Sequence, residues 1–202
     1  MALTVIIPPA SEPVTLAEGK LHLRVDGSTE DALVTMMLVS ARERAEMLTG
    51  RQLMPATYRL TMDYFPCASD QDGGTGYSLP GSSIMLPVAP VTAINSIKYV
   101  DMAGLLQTMA PSTYLYDLIS DPVRIHLPFG MTWPITMPQI GAVRVEFVAG
   151  YANAAAVPNS IKQWILMTAA GGYTQRENVT GKPIMSTPFL DGLLDAYKVV
   201  MF

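Results

Sequence analysis

The chain has 202 residues, of which 50% are hydrophobic and only 15% charged, and its formal net charge is −4. A typical globular chain carries about 25% charged residues, so this composition indicates either extensive protein–protein contacts or a large core. No run of basic residues offers a patch for nucleic acid phosphates, and the single cysteine, Cys67, excludes an intrachain disulfide.

The N-terminal part of the sequence predicts two helices in tandem. Thr15 and Glu18 form a capping box before a short helix over residues 16–24. Ser28 can cap a longer helix over residues 29–49, and Gly50 follows it where a helix C-terminus favours a left-handed residue.

Two surfaces of the longer helix differ in character. Thr35, Arg42, Glu46 and Thr49 share one stripe, which we interpret as the solvated or subunit-facing side. Residues 32–39 are apolar nearly all round, which predicts burial on several sides. This run is too short to cross a bilayer, so we expect no membrane association.

From residue 57 the hydrophobic period changes to two, which predicts strands. In residues 57–64 the side chains of Tyr58, Leu60, Met62 and Tyr64 share one face. Further strand signals cover residues 84–88, 93–100, 105–109, 113–118, 123–127 and 142–149, and the short turns between them favour antiparallel hairpins.

Helical periodicity returns after Pro158, where Ile161, Trp164, Ile165, Thr168 and Gly172 form a stripe. A final helix is predicted over residues 189–197, followed by an apolar tail. The predicted fold is therefore α+β, a helical body built from N- and C-terminal helices with an inserted antiparallel β subdomain. We expect one structural unit with an insertion, divided at residues 1–52, 53–150 and 151–202.

Residues that would support catalysis or bind a metal are few and scattered. His22 and His126 lie on different predicted elements, and Cys67 has no histidine near it in sequence. The Gly-rich residues 70–76 lack the Gly-Lys-Ser/Thr ending of a phosphate-binding loop and predict a flexible loop. The acids within residues 26–31 are explained by helix capping. We expect no catalytic, cofactor-binding or metal-binding residue.

Several passages occur in the same order as in one known family. They are the opening over residues 8–51, the Leu-Pro-x-x-Pro-Val and Ile-x-Ser-Ile-x-Tyr passages of 86–91 and 94–99, the Trp-Pro of 133–134, the strand ending in Gly-Tyr over 143–151, and the helix start over 157–166. Together they resemble the head-tail connector (adaptor) proteins of long-tailed bacteriophages.

The resemblance implies a structural protein of the virion neck, made in the cytoplasm of the host bacterium, without an enzymatic activity or a cofactor. Proteins of that family form a dodecameric ring. The ring binds the portal protein, offers a surface to a stopper or tail-completion protein, and lets DNA pass through its channel without specific binding.

Two sets of contact residues are predicted within this framework. The apolar C-terminus is expected to bind the portal through Phe189, Leu193, Leu194, Tyr197, Val199, Val200, Met201 and Phe202. The alternative is that these residues dock on the protein's own helices. Contacts between subunits are expected through the helical body, at Thr35, Arg42, Glu46, Trp164, Thr168 and Gly172.

Two other functions remain open from the sequence. The chain resembles a neck protein, so another neck component, a stopper or a tail-completion protein, is one alternative. A soluble ligand-binding or enzymatic α+β domain is the other, and a pocket with perturbed titratable groups would favour it.

Overall fold

The chain folds into α-helices and antiparallel sheets, so the predicted α+β class is confirmed. A computed structural model describes residues 1–66, 83–174 and 188–199 of this fold. The described chain divides into two units, a β unit of Met1–Pro8 with Pro55–Gly150 and a helical unit of Pro9–Met54 with Tyr151–Val199. The first eight residues, which the sequence groups with the N-terminal helices, therefore belong to the β unit.

The described part of the helical unit contains α1 (Leu16–Leu23), α2 (Asp31–Thr49), α3 (Asn159–Thr174) and α4 (Pro188–Asp195). The predicted capping box is confirmed, because the Thr15 hydroxyl accepts the Glu18 N–H and the Glu18 carboxylate accepts the Thr15 N–H. Gly50 ends α2 with a φ of +68°, as predicted. The prediction for Ser28 is wrong, since α2 begins after Glu30 without a side-chain cap.

One side of α2 packs in the helical core, where Val34 and Leu38 are at most 3% exposed. Gly19 lets α1 lie close to α2, because a Cβ at this position would stand 2.7 Å from Leu38 Cδ1. The prediction that residues 32–39 are buried on several sides is wrong, since Met36 is 60% exposed. The same core also contains Ala45, Leu53, Ile161, Trp164, Ile165 and Leu194.

The β unit contains two antiparallel sheets in its described part. The first has the order β1 (Ala2–Ile7), β2 (Ala56–Met62), β8 (Val143–Ala149), β4 (Val91–Val100) and β5 (Leu106–Thr108). The second has the order β3 (Ile84–Met85), β7 (Arg124–His126) and β6 (Leu115–Asp117). Each predicted strand corresponds to one of β2 to β8.

Strand alternation places one face of the larger sheet in the core. Every second residue of β2 is buried, as predicted, and the residues between them are half-exposed. On the outer face Arg59 pairs with Glu146 of β8, with Nη2 2.6 Å from Oε1. The strand ends at Met62, so Tyr64, which the pattern places on the buried face, is 60% exposed. The core of this unit includes Leu60, Ile97, Ile125, Val145 and Phe147.

Strand β1 is an element that the sequence analysis does not predict. It pairs antiparallel with β2, with Leu3 opposite Leu60 and Val5 opposite Tyr58. All six of its residues are exposed. Its sequence shows no alternation because apolar side chains occupy both faces, so the period of two that reveals the other strands is missing here.

Candidate functional site

The C-terminal residues predicted to bind the portal lie mainly on the protein's own helical unit. Leu194 is 1% exposed and belongs to the helical core. Leu193 and Tyr197 are half-buried and pack against the same core. A folded subunit therefore uses Leu194 for its own stability and cannot offer this side chain to a partner.

Residues 197–199 are held at the C-terminal end of α2. The Val199 N–H donates to the Thr49 carbonyl at 2.7 Å, and Arg51 Nε donates to the Tyr197 carbonyl at 2.6 Å. Gly50 lies beside Val199, since a Cβ on Gly50 would stand 3.4 Å from Val199 Cβ. Among the other predicted portal residues, Phe189 lies in α4 and its side chain is outside the described part, as are residues 200–202 entirely.

Arg42 and Glu46, predicted at the subunit interface, lie inside the helical unit. The Arg42 side chain is 9% exposed and donates to Glu12 at 2.7 Å and to Glu46 at 2.5 Å. Glu46 Oε1 also accepts the Leu53 N–H at 3.0 Å and the Gln52 amide at 2.8 Å. The interpretation of this stripe as solvated or subunit-facing is therefore wrong for Arg42 and Glu46, because partners inside the subunit satisfy both charges, whereas Thr35 of the same stripe is exposed.

Burial and charge shift the pKa values of this cluster. Burial raises the pKa of Glu46, and the Leu53 N–H and the Arg42 guanidinium oppose this effect only in part. Burial alone would lower the pKa of Arg42, but Glu46 and Glu12 outweigh it and raise that pKa. The cluster contributes to stability and to the position of residues 52–53, and Arg42 and Glu46, at 9% and 15% side-chain exposure, offer little surface to a partner.

The other predicted interface residues lie in different environments. Trp164 is buried at 5% exposure, whereas Thr35 and Gly172 are exposed. Thr35 Oγ1 donates to the Asp31 carbonyl within α2. Of the six residues, Thr35, Thr168 and Gly172 therefore reach the surface of the helical unit.

A groove of about 370 Å³ separates part of α2 from part of α3. Its lining is Met37, Ser40, Ala41, Arg44, Thr168, Ala169 and Gly172. Thr168 Oγ1 is buried and has no hydrogen-bond partner within residues 1–66, 83–174 and 188–199. A carbonyl or carboxylate entering the groove would supply an acceptor for this hydroxyl. The groove thus combines small residues and two hydroxyls, of Ser40 and Thr168, with the longer side chains of Met37 and Arg44.

Sequence reasoning misses most of the exposed apolar surface. In the β unit, Ile119, Phe129, Ile135 and Ile140 are each at least 77% exposed. In the helical unit, Leu21, Met36 and Met47 are at least 60% exposed. Clustered apolar exposure marks interaction surfaces in soluble proteins. For Met36, Phe129, Ile135 and Ile140, the uncharged stretches of residues 32–41 and 127–143 are the signal that would have indicated them.

Ionisable groups do not form a reactive cluster in the described structure. His22 lies on α1 and His126 on β7, and Cys67 lies outside the described residues, as does the loop over 70–76. No group of three or more His, Cys, Asp or Glu within the described ranges is arranged to hold a metal ion. None of the helices in that part of the chain combines the length and apolar character needed to span a bilayer.

Two half-exposed carboxylates instead organise turns. Gln107, aided by the Leu105 and Ala103 N–H groups, lowers the pKa of Asp101, which lies at the turn after β4. The Ile119 N–H lowers the pKa of Asp117 in the same manner. Both contacts are local turn chemistry and require no ligand.

Comparisons with known proteins give matches among solved structures. No protein-family model matches the sequence, and no curated protein sequence matches it. For each of three matching structures, the alignment covers 100% of this chain and 97% of the matching chain. They are described as "Neck of empty GTA particle computed with C6 symmetry" (24% identity, TM-score 0.78), "Virion of native gene transfer agent (GTA) particle" (22%, 0.77) and "Neck of native GTA particle computed with C12 symmetry" (23%, 0.72). At this identity the likeness shows that the chain shares their fold.

Proposed function

We propose that this chain is a structural protein of the neck of a tailed phage or phage-like particle, and within the neck the head-tail connector. The observation that carries the proposal is a likeness of fold, over the whole chain, to structures from GTA necks. The low charged fraction of 15% and the exposed apolar side chains of both units support a protein that works in an assembly.

The proposed assembly is a dodecameric ring that encloses the DNA channel. Subunits of a closed ring meet through two different patches, one on each side of every subunit. The related neck structures were computed with C6 and C12 symmetry, and both symmetries fit twelve subunits. With a net charge of −4 and no basic run, we expect a channel wall that is neutral or acidic, past which DNA slides without specific binding.

Subunit contacts on the helical unit are proposed at the surface-reaching residues of α2 and α3. Thr168 and Gly172 lie at the groove between these helices, and Thr35 lies on an exposed side of α2 next to Met36. Beneath this surface, the helices are held together by the buried residues Arg42, Glu46 and Trp164. Side chains of a neighbouring subunit would therefore contact α2 and α3 without touching the buried ion pairs.

The portal contact is proposed at the end of the chain, beyond the residues that dock on the helical unit. Residues 200–202 are Val-Met-Phe, and many copies around a ring would multiply a weak individual contact. The preceding residues Leu193, Leu194 and Tyr197 belong to or pack against the helical core and are not part of this proposed contact. The far side of the ring is proposed to bind the stopper or tail-completion protein.

Co-purification with the portal tests this function. The full chain and a variant lacking residues 200–202 are each mixed with the portal of the same particle, and the melting temperature of both is measured. We expect the full chain to bind and the truncated chain to remain folded but not to bind. A full chain that never binds the portal would contradict the connector function. A truncated chain that still saturates the portal would contradict only the proposed contact.

A further inference from the structure

The outer face of the larger sheet, opposite the core of the β unit, carries two adjacent rows of polar side chains. The strand registers align the first row across β5, β4, β8 and β2, and it consists of Thr108, Lys98, Arg144 and Thr61. The second row crosses β4, β8, β2 and β1 and consists of Ser96, Glu146, Arg59 and Thr4. No side chain of either row is apolar, so this face differs from the exposed apolar surfaces of the same unit.

Two cations of these rows have no partner for their charge. Arg59 and Glu146 pair with each other, with Nε 3.0 Å and Nη2 2.6 Å from the same carboxylate oxygen. The side chains of Lys98 and Arg144, by contrast, make no ion pair or hydrogen bond within residues 1–66, 83–174 and 188–199. The register places these two residues directly opposite each other on β4 and β8. Like charges in this position destabilise a sheet, so an anion that binds both of them would relieve a repulsion built into the fold.

The two unpaired cations are accessible from outside the subunit. Arg144 is exposed and Lys98 is half-exposed, and the hydroxyl residues at either end of their row, Thr108 and Thr61, are exposed and half-exposed. The whole chain has a net charge of −4, so a positive face is opposite in sign to the chain as a whole. The sequence shows no run of basic residues here, because the register of the sheet brings these cations together from separate strands.

We infer that this face contacts the phosphate backbone of the DNA that passes through the ring. The inference rests on the proposed function. Lysine, arginine and threonine side chains donate to phosphate oxygens, and such contacts do not depend on the base sequence. An acidic protein surface fits less well, because the centre of a protein–protein interface is apolar and neither row of this face contains an apolar side chain.

The contact is expected to be weak and strongly dependent on salt. Lys98 and Arg144 of every copy would form a positive band within a channel wall that is otherwise neutral or acidic. Each phosphate that a cation neutralises releases condensed counterions, so the affinity for DNA falls as the salt concentration rises. Non-specific contacts of this kind have a Kd of about 10⁻⁴–10⁻⁶ M at physiological salt, which allows DNA to slide.

Fluorescence anisotropy with labelled DNA duplexes tests the inference on the full chain. The affinity for two duplexes of unrelated sequence is measured between about 50 and 200 mM salt. We expect equal affinities for the two duplexes and weaker binding by Lys98→Gln and by Arg144→Gln. Each substitution should reduce the slope of log affinity against log salt by about 1. Both variants should keep or raise the melting temperature, because each removes one of two charges that repel each other.

Arg24→Gln is the matched control, because it removes the same charge from the helical unit. Arg24 is exposed, and its side chain has no ion-pair or hydrogen-bond partner in the described part of the chain. This variant should bind DNA as the unmodified chain does.

Three results would overturn the inference. They are no DNA binding by the unmodified chain at about 50 mM salt, equal losses for Arg24→Gln and Arg144→Gln, and unchanged DNA binding by Lys98→Gln combined with Arg144→Gln. If that double variant binds DNA normally but no longer forms rings, the face contacts an acidic protein surface instead. Rings of the unmodified chain that bind the portal leave the proposed function intact in each case, whereas an unmodified chain that forms no rings and binds no portal contradicts the proposed function itself.

Discussion

Replacing Arg42 with methionine separates a structural role of this residue from a role in the subunit interface. The substitution keeps much of the aliphatic stem and removes the guanidinium that joins Glu12 and Glu46. Glu46 is then left with a side chain only 15% exposed and without its cation. We therefore expect the variant to fold with reduced stability and to assemble normally once folded.

The contacts that Glu46 and Glu12 keep determine how much stability the Arg42→Met variant is expected to lose. Breaking a buried ion pair by removing one partner costs about 3–5 kcal/mol. We expect about 3 kcal/mol, the lower end, because Glu46 keeps the Leu53 N–H and the Gln52 amide as donors and Glu12 is 30% exposed and can be hydrated. Arg42→Met with Glu46→Gln should recover part of the loss, since the glutamine accepts the same N–H without a buried charge.

Urea unfolding at pH 7 measures the free energy of unfolding of each variant. Arg44→Met is the matched control, because Arg44 is exposed on the same helix and should change stability by less than about 0.5 kcal/mol. A loss for Arg42→Met below about 1 kcal/mol would refute the buried-network reasoning. Unchanged stability together with lost ring assembly would restore Arg42 to the subunit interface, as the sequence first suggested.

Three further predictions concern stability. Leu194→Ala should lower the free energy of unfolding in urea by about 2–5 kcal/mol, because its side chain is 1% exposed, and a surface role would leave it unchanged. Gly19→Ala should lower the melting temperature, since the new Cβ would approach within 2.7 Å of Leu38 Cδ1, whereas an equal or higher melting temperature would show that Leu38 moves aside. Because folding lowers the pKa of Asp101, its ionised carboxylate stabilises the fold at pH values above the ordinary aspartate pKa. This stabilisation is lost as the pH falls and the carboxylate becomes protonated. Asp101→Asn should therefore lose less stability than the unmodified chain between pH 5 and pH 3, roughly the range in which aspartate titrates, as measured by urea unfolding.

Local patterns in the sequence predict most of the fold. The Thr15–Glu18 capping box and the left-handed Gly50 are correct because both depend on neighbouring residues alone. Strands β2 to β8 follow from their period of two and the turns between them. Strand β1 escapes prediction because it is apolar on both faces, and only its pairing with β2 shows it to be a strand.

The candidate contact residues are harder to predict, because burial depends on distant partners. A polar stripe on α2 indicates an exposed face, yet Arg42 turns inward to meet Glu12, a residue thirty positions earlier whose place depends on the tertiary fold. The apolar character of residues 189–199 is clear from the sequence. Which of its side chains enter the core, as Leu194 does, follows only from the packing of α4 against the other helices.

Electron microscopy of the purified chain mixed with its portal tests the central claim most directly. We expect rings of twelve subunits seated on one end of the portal, with an open channel along the common axis. Monomers at all concentrations, with no added density on the portal, would contradict the proposal that this chain is a head-tail connector.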